Sequence, residues 1–87
     1  MLKPVIIRLN EITDGLFKIE PAPSFTFIRI YKINDLGRKE RCCTVEWLEK
    51  KDNINRYRIN GIKMISCDKS NIDILICEIL KIIMNRC

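Results

Sequence analysis

The sequence predicts an α+β fold with about six antiparallel strands in a curved sheet or partial barrel, followed by one C-terminal amphipathic helix. The dipeptide Asn60-Gly61 lies between alternating residues and is typical of a tight β-hairpin, because both residues tolerate positive φ. The segment after Ser70 instead repeats apolar residues at helical spacing. At 87 residues, the chain is expected to form a single domain, residues 1–87, around one modest core.

The first two strands are predicted from alternation at the start of the chain. Val5, Ile7 and Leu9 share one face if this segment is extended. A loop of Thr13-Asp14-Gly15 would turn the chain into a second strand, with Leu9 opposite Ile19. Because both apolar faces then match, the pattern predicts an N-terminal hairpin.

Segments 25–33 and 41–49 are the next predicted strands, separated by the polar loop 34–40. The first is apolar on both faces, which is typical of a central strand. In the second, Cys43, Val45 and Trp47 are predicted to face the core. A turn at 50–53 leads into the Asn-Gly hairpin.

The register of that hairpin follows from a two-residue loop. Counting outward from Asn60-Gly61 places Arg58 opposite Lys63 and Arg56 opposite Ile65. One face would then be basic, carrying Arg56, Arg58 and Lys63. The other face would carry Tyr57, Ile59, Ile62 and Met64. Like charges across a ladder are mildly destabilising, so the basic face is predicted to meet an anionic partner.

The C-terminal helix is predicted to span about 71–85, with Ser70 as N-cap and Asp73 at the capping-box position. Its apolar arc consists of Ile72, Ile76, Ile79, Leu80 and Ile83. Ile74 and Ile82 fall beside the polar stripe and are the candidate protein interface. Single exposed isoleucines are ordinary, and a ridge for a second chain is the alternative interpretation.

The five cysteines are Cys42, Cys43, Cys67, Cys77 and Cys87. The chain has no histidine and no C-x-x-C spacing, so neither a metal nor a cofactor is expected. The sequence predicts free, mostly buried thiols and a cytoplasmic or other reducing intracellular location. No stretch approaches the roughly 20 apolar residues of a membrane span, so no membrane partner is expected.

Enzymatic chemistry has little support in the sequence. There is no histidine, no glycine-rich phosphate loop and no G-x-S-x-G elbow. A cysteine nucleophile would depend on lysine as its base. The chain is therefore predicted to be non-enzymatic and to have no small-molecule substrate.

The formal charge of +5 favours an acidic partner. Ile, Lys and Asn, present at seventeen, nine and seven copies, have AT-rich codons, and an AT-rich genome gives such a bias without selection for charge. The position of the basic residues therefore matters more than their sum. The candidate nucleic-acid or anion-binding residues are Arg38, Lys39, Arg41, Lys50, Lys51, Arg56, Arg58 and Lys63.

Together these features predict a small binding domain that acts through a basic antiparallel sheet face on a nucleic acid or nucleoprotein partner. The alternative is a protein–protein interaction module that docks through its C-terminal helix or a sheet edge. Such a module could be an assembly subunit or a small viral or mobile-element inhibitor. A weak homodimer is a further alternative.

Overall fold

The chain folds into a five-stranded antiparallel sheet and two helices. The computed structural model describes residues 2–86, without the side chains of Lys69 and Arg86. The elements are α1 (Lys3–Thr13), β1 (Phe17–Pro21), β2 (Phe27–Ile33), β3 (Lys39–Lys51), β4 (Ile54–Ile59), β5 (Lys63–Asp68), a 3₁₀ turn (Lys69–Asn71) and α2 (Ile72–Arg86). Each strand pairs with its neighbour in sequence, in the order β1-β2-β3-β4-β5, and the sheet is open. The predicted α+β class is confirmed.

The first predicted strand is wrong, because this segment forms helix α1. Leu2, Val5 and Leu9 are buried, and their spacing of three and four residues is helical. Pro4 lies in the first turn, where a missing N–H costs no helical hydrogen bond. The helix ends at Asp14, which adopts a left-handed conformation with φ 53°. The predicted pairing of Leu9 with Ile19 is therefore absent.

Both helices pack on the same face of the sheet, which we call the inner face. The buried side chains of α1, of α2 and of the strands form one hydrophobic cluster. The strands contribute Phe17, Ile28, Ile30, Cys42, Cys43, Val45, Tyr57, Ile59, Ile65 and Cys67. Trp47, predicted to face inward, is half-buried against this cluster, and its Nε1 donates to Asn55 Oδ1 at 3.0 Å. The opposite face of the sheet, the outer face, is not covered by any element among residues 2–86.

Strand β3 contains two bulges that break its alternation. Ile30 pairs with Cys43 whereas Tyr31 pairs with Arg41, so Cys42 is an extra residue in the ladder. Cys42 and Cys43 are consequently both buried, although adjacent residues of a regular strand would face opposite ways. The second irregularity lies between Trp47 and Glu49, where the register also shifts.

The hairpin loops differ from the predicted register. Asp52 and Asn53, with φ of 52° and 66°, form the two-residue loop between β3 and β4. Asn60 instead exchanges two hydrogen bonds of 2.9 Å with the backbone of Thr44, so the loop to β5 has three residues and Ile59 pairs with Lys63. The predicted pairing of Arg58 with Lys63 is wrong by one residue.

The three-residue loop is favoured because it buries the apolar side chains of β5. Ile65 and Cys67 now face the helices, whereas Met64 lies on the outer face opposite Arg58. A two-residue loop would reverse these faces, since a shift of one residue exchanges the two sides of a strand. Ile62, expected on the core side, is 85% exposed in the loop.

Helix α2 confirms the predicted C-terminal helix, although its start differs. Asp68 rather than Ser70 is the capping residue, since its Oδ1 accepts from the backbone N–H of Asn71 at 2.8 Å. Ser70 donates its hydroxyl to the same carboxylate. The most buried residues of the helix are Leu75, Ile76, Ile79 and Ile83. None of the helices among the described residues is long and apolar enough to cross a membrane.

The cysteines only partly follow the prediction of free, mostly buried thiols. Cys43 and Cys67 are buried, Cys67 has a free thiol, and burial raises the pKa of that thiol. Cys77 is free but exposed. Cys42 is disulfide-bonded, so the prediction is wrong there. Cys87 lies outside the described residues.

Candidate functional site

The outer face is the most strongly charged surface built by the sheet. The pairing register places seven cationic and four acidic side chains of the described residues on it, an excess of three positive charges. The cations are Lys18, Arg29, Lys39, Arg41, Lys51, Arg56 and Arg58, and the acids are Glu20, Glu46, Glu49 and Asp68. Because the helices cover only the inner face, these groups face solvent.

Carboxylates neutralise the cations at both sides of this face. Arg58 donates from Nε and Nη2 to Glu46 Oε1 at 3.0 and 2.6 Å. Arg56 Nη1 contacts Glu49 Oε1 at 2.7 Å. Lys39 Nζ reaches across β2 to Glu20 Oε2 at 2.7 Å. The like-charge repulsion expected from the sequence is therefore relieved within the sheet.

Arg29 and Arg41 differ from these paired cations. Neither guanidinium has a carboxylate within 4.0 Å among the described side chains, and both residues are exposed. Arg29 pairs with Thr44 and Arg41 pairs with Tyr31, so both lie on the outer face along the β2–β3 boundary. Guanidinium groups bind phosphate oxygens with two parallel hydrogen bonds, which makes this boundary a candidate site for an anion.

Two aromatic rings stand on the same face of β2. Phe27 and Tyr31 are half-buried and four residues apart, with Arg29 between them. The Arg29 guanidinium lies 5.2 Å from the centroid of the Phe27 ring. Lys39 Nζ lies 4.9 Å from the centroid of the Tyr31 ring. Strand β2 therefore presents aromatic and cationic groups alternately over residues 27–31.

A shallow depression of about 420 Å³ lies on this face beside the Phe27 side chain. Phe27, Arg41 and Arg58 contribute to its lining. Thr44 and Asn60 line it as well, and their mutual hydrogen bonds hold the loop after β4 in place. Its volume is within the range of about 300–1,000 Å³ that is typical of small-ligand sites.

The pKa of the Glu20 carboxyl is lowered by the cations around it. The hydrogen bond from Lys39 is the main reason that its pKa is lowered, with further attraction from Lys18 and Arg29. The same contact raises the pKa of Lys39. Because the pKa is lower in the folded protein, the ionised carboxylate stabilises the fold at pH values above the usual glutamate pKa. This stabilisation is lost as the pH falls through the lowered pKa of the folded protein.

We expect Lys39→Met to raise the pKa of Glu20 towards its usual value, because the main hydrogen bond to the carboxylate is removed. Carboxyl-carbon NMR titration measures the change directly. Lys63→Met is the matched control, since it should raise the pKa of Glu78 and leave Glu20 unaffected. An unchanged Glu20 titration in Lys39→Met would contradict the contact.

The structure brings together most of the basic residues chosen from sequence. Lys39, Arg41, Lys51, Arg56 and Arg58 lie on the outer face. Arg38 lies in the loop before β3, next to this face. The remaining two basic residues, Lys50 and Lys63, do not lie there.

Lys63 is a correction to the predicted basic face. The shifted register turns it towards the helices, where its Nζ pairs with Glu78 of α2. Lys50 pairs with Asn55 at the far end of the sheet and has the inner-face orientation. Neither residue can contact a ligand that lies along the outer face of β2 and β3.

The predicted ridge on α2 is not a continuous exposed surface. Ile74 is 53% exposed, whereas Ile82 is half-buried and packs against the core cluster. Since Ile82 is partly used inside the protein, the pair offers a second chain less apolar surface than the helical wheel suggested.

Four residues of the site were missed from sequence, namely Lys18, Phe27, Arg29 and Tyr31. Segment 25–33 does alternate, and Ile28 and Ile30 point to the core. The alternation itself was the available signal, because it places Phe27, Arg29 and Tyr31 together on the other face. This signal was missed because Phe27 and Tyr31 are apolar and the segment therefore looked apolar on both faces.

Comparison of the chain with protein-family models, curated proteins and solved structures gives no match. The candidate site is thus defined by geometry and charge alone.

Proposed function

We propose that this protein binds nucleic acid through the outer face of its sheet. The observation that carries the proposal is the line of exposed cations over β2 and β3, in which Arg29 and Arg41 have no carboxylate partner among the described residues. Phosphate groups would supply the missing negative charge. Contacts to phosphate account for most of the affinity of sequence-independent nucleic-acid binding.

The cations of this face that are paired with carboxylates could also contact a bound polyanion and so enlarge the binding surface. Arg58 and Arg56 are held by Glu46 and Glu49, so their charge is partly used within the protein. Exposed ion pairs of this kind contribute little to stability, about 0–1 kcal/mol. A polyanion could therefore compete for these arginines at small cost to the fold.

The double change Arg29→Ser with Arg41→Ser should weaken binding and reduce its salt dependence. Each phosphate contact adds about 0.7 to the slope of log affinity against log salt for a single strand and about 0.9 for a duplex, so the slope should fall by about 1.4–1.8. Fluorescence anisotropy of a labelled 12-nucleotide single strand and of the matching duplex, over a series of salt concentrations, measures this.

The control is Lys3→Ser with Lys81→Ser, which removes the same charge from the exposed surfaces of α1 and α2. It should leave the slope nearly unchanged. Equal slopes for the two double variants would show that only net charge matters and would reject a site on the outer face. If the wild type binds neither oligonucleotide and forms a defined complex with a protein, the protein-interaction alternative is correct.

A further inference from the structure

We infer that the ligand of the outer face is a single strand whose bases stack on Phe27 and Tyr31. This inference rests on the proposed function and adds the class of nucleic acid and the mode of contact. Its structural basis is the position of two aromatic rings on the uncovered face of β2, the strand that also carries Arg29.

The spacing of the two rings favours an extended strand. Residues four apart on one strand are separated by roughly 13 Å. Successive bases in a duplex rise by about 3.4 Å, so adjacent stacked bases cannot reach both rings. An unstacked strand can place one base on Phe27 and another on Tyr31, with its intervening backbone beside Arg29.

A duplex would not use these rings. Its bases are paired and stacked inside the helix, and no helix or loop among the described residues covers the outer face from which it could enter a groove. Duplex DNA or RNA could contact only the cations. Stacking on aromatic side chains therefore distinguishes a single strand from a duplex at this site, without requiring a particular base sequence.

When a base stacks on one of the rings, the cation that lies over that ring can turn to contact a phosphate of the bound strand. Arg29 lies over Phe27 and Lys39 lies over Tyr31, and both cationic residues are exposed. A base that stacks on either ring takes the place of the cation. The displaced side chain is long enough to meet the phosphate of the same nucleotide, so the positive charge stays in the complex.

The depression beside Phe27 gives one nucleotide a bounded site. Besides the ring, its lining includes the guanidinium groups of Arg41 and Arg58 and the Thr44 side chain. These groups are mainly hydrogen-bond donors, which suits phosphate and sugar oxygens. The Glu46 carboxylate, which accepts from Arg58, lines the same depression, so a phosphate there would compete with Glu46 for Arg58. The ring and the donors thus line the same volume of about 420 Å³.

Phe27→Leu and Tyr31→Leu should each weaken single-strand binding by about fivefold or more, because stacking on one aromatic contributes about 1–3 kcal/mol per base. Duplex binding should change little. Tyr31→Phe keeps the ring and should keep the affinity. Phe25→Leu is the matched control, since Phe25 also lies under a cation, Lys3, but near α1.

An abasic 12-nucleotide strand separates stacking from charge. It keeps the phosphates but lacks the bases that would stack, so the wild type should bind it more weakly than the normal strand. The double variant Phe27→Leu with Tyr31→Leu has no rings to stack on and should bind the abasic and normal strands equally. Circular dichroism melting confirms that the variants remain folded.

The outcomes of this experiment distinguish the two proposals. If the wild type binds abasic and normal strands equally, with the salt dependence described above, stacking is refuted and nucleic-acid binding through the outer face stands. If Tyr31→Phe loses as much affinity as Tyr31→Leu, the ring does not act by stacking. Absence of binding to any strand refutes both proposals.

Discussion

Replacing Val5 with lysine is expected to unfold the protein or bring it close to unfolding. Val5 has no exposed surface and packs in the core cluster from α1. An unpaired buried charge costs about 3–5 kcal/mol, a large part of the total stability of about 5–15 kcal/mol for a typical protein. Urea denaturation followed by circular dichroism measures the loss.

Ile7→Lys is the matched control and also tests the secondary structure. Ile7 is 54% exposed on the far side of α1, so lysine there should change stability by less than about 0.5 kcal/mol. An extended segment would place Val5 and Ile7 on the same face. Equal destabilisation by the two substitutions would therefore contradict the helix.

Ile79→Ala should cost about 2–5 kcal/mol, because Ile79 is fully buried between α2 and the sheet and the change leaves a cavity. The midpoint of thermal or urea unfolding measures it. The effect is of the same order as that of Val5→Lys but arises from lost packing alone.

Ile74→Ala on the same helix is the comparison for this change. Ile74 is exposed, so the substitution should have little effect on stability, and the better helix propensity of alanine offsets the small loss of contact. Similar losses at Ile74 and Ile79 would show that α2 is rotated relative to the described packing.

The α+β class, the hairpin series and the C-terminal helix could be predicted because each has a strong local signal. The apolar spacing of α2 repeats over about four turns, and Asp52-Asn53 and Asn60-Gly61 both occupy turns with positive φ. The start of the chain has no such signal. Val5 and Leu9 fit helix and strand spacing alike, and the burial of Leu2 decides between them.

The register of β5 could not be obtained from the turn residues alone. The side chain of Asn60 binds the backbone of Thr44, a residue 16 positions earlier, and this contact lengthens the loop. The placement of Lys63 follows from this contact together with the burial of Ile65 and Cys67. The basic face was therefore predicted in part, and its aromatic component was missed because an aromatic residue in an apolar segment usually belongs to the core.

The bulges of β3 decide which of its side chains meet a ligand. Cys43, Val45 and Trp47 face the helices, whereas Lys39, Arg41 and Glu49 face outward, although all six numbers are odd. A regular ladder that kept Cys42 in the pairing would turn Arg41 and Lys39 towards the helices without changing any charged residue, whereas deletion of Cys42 would leave Arg41 opposite Tyr31 on the outer face. The bulge at Cys42, as much as the charged residues themselves, thus sets which side chains of β3 reach a ligand on the outer face.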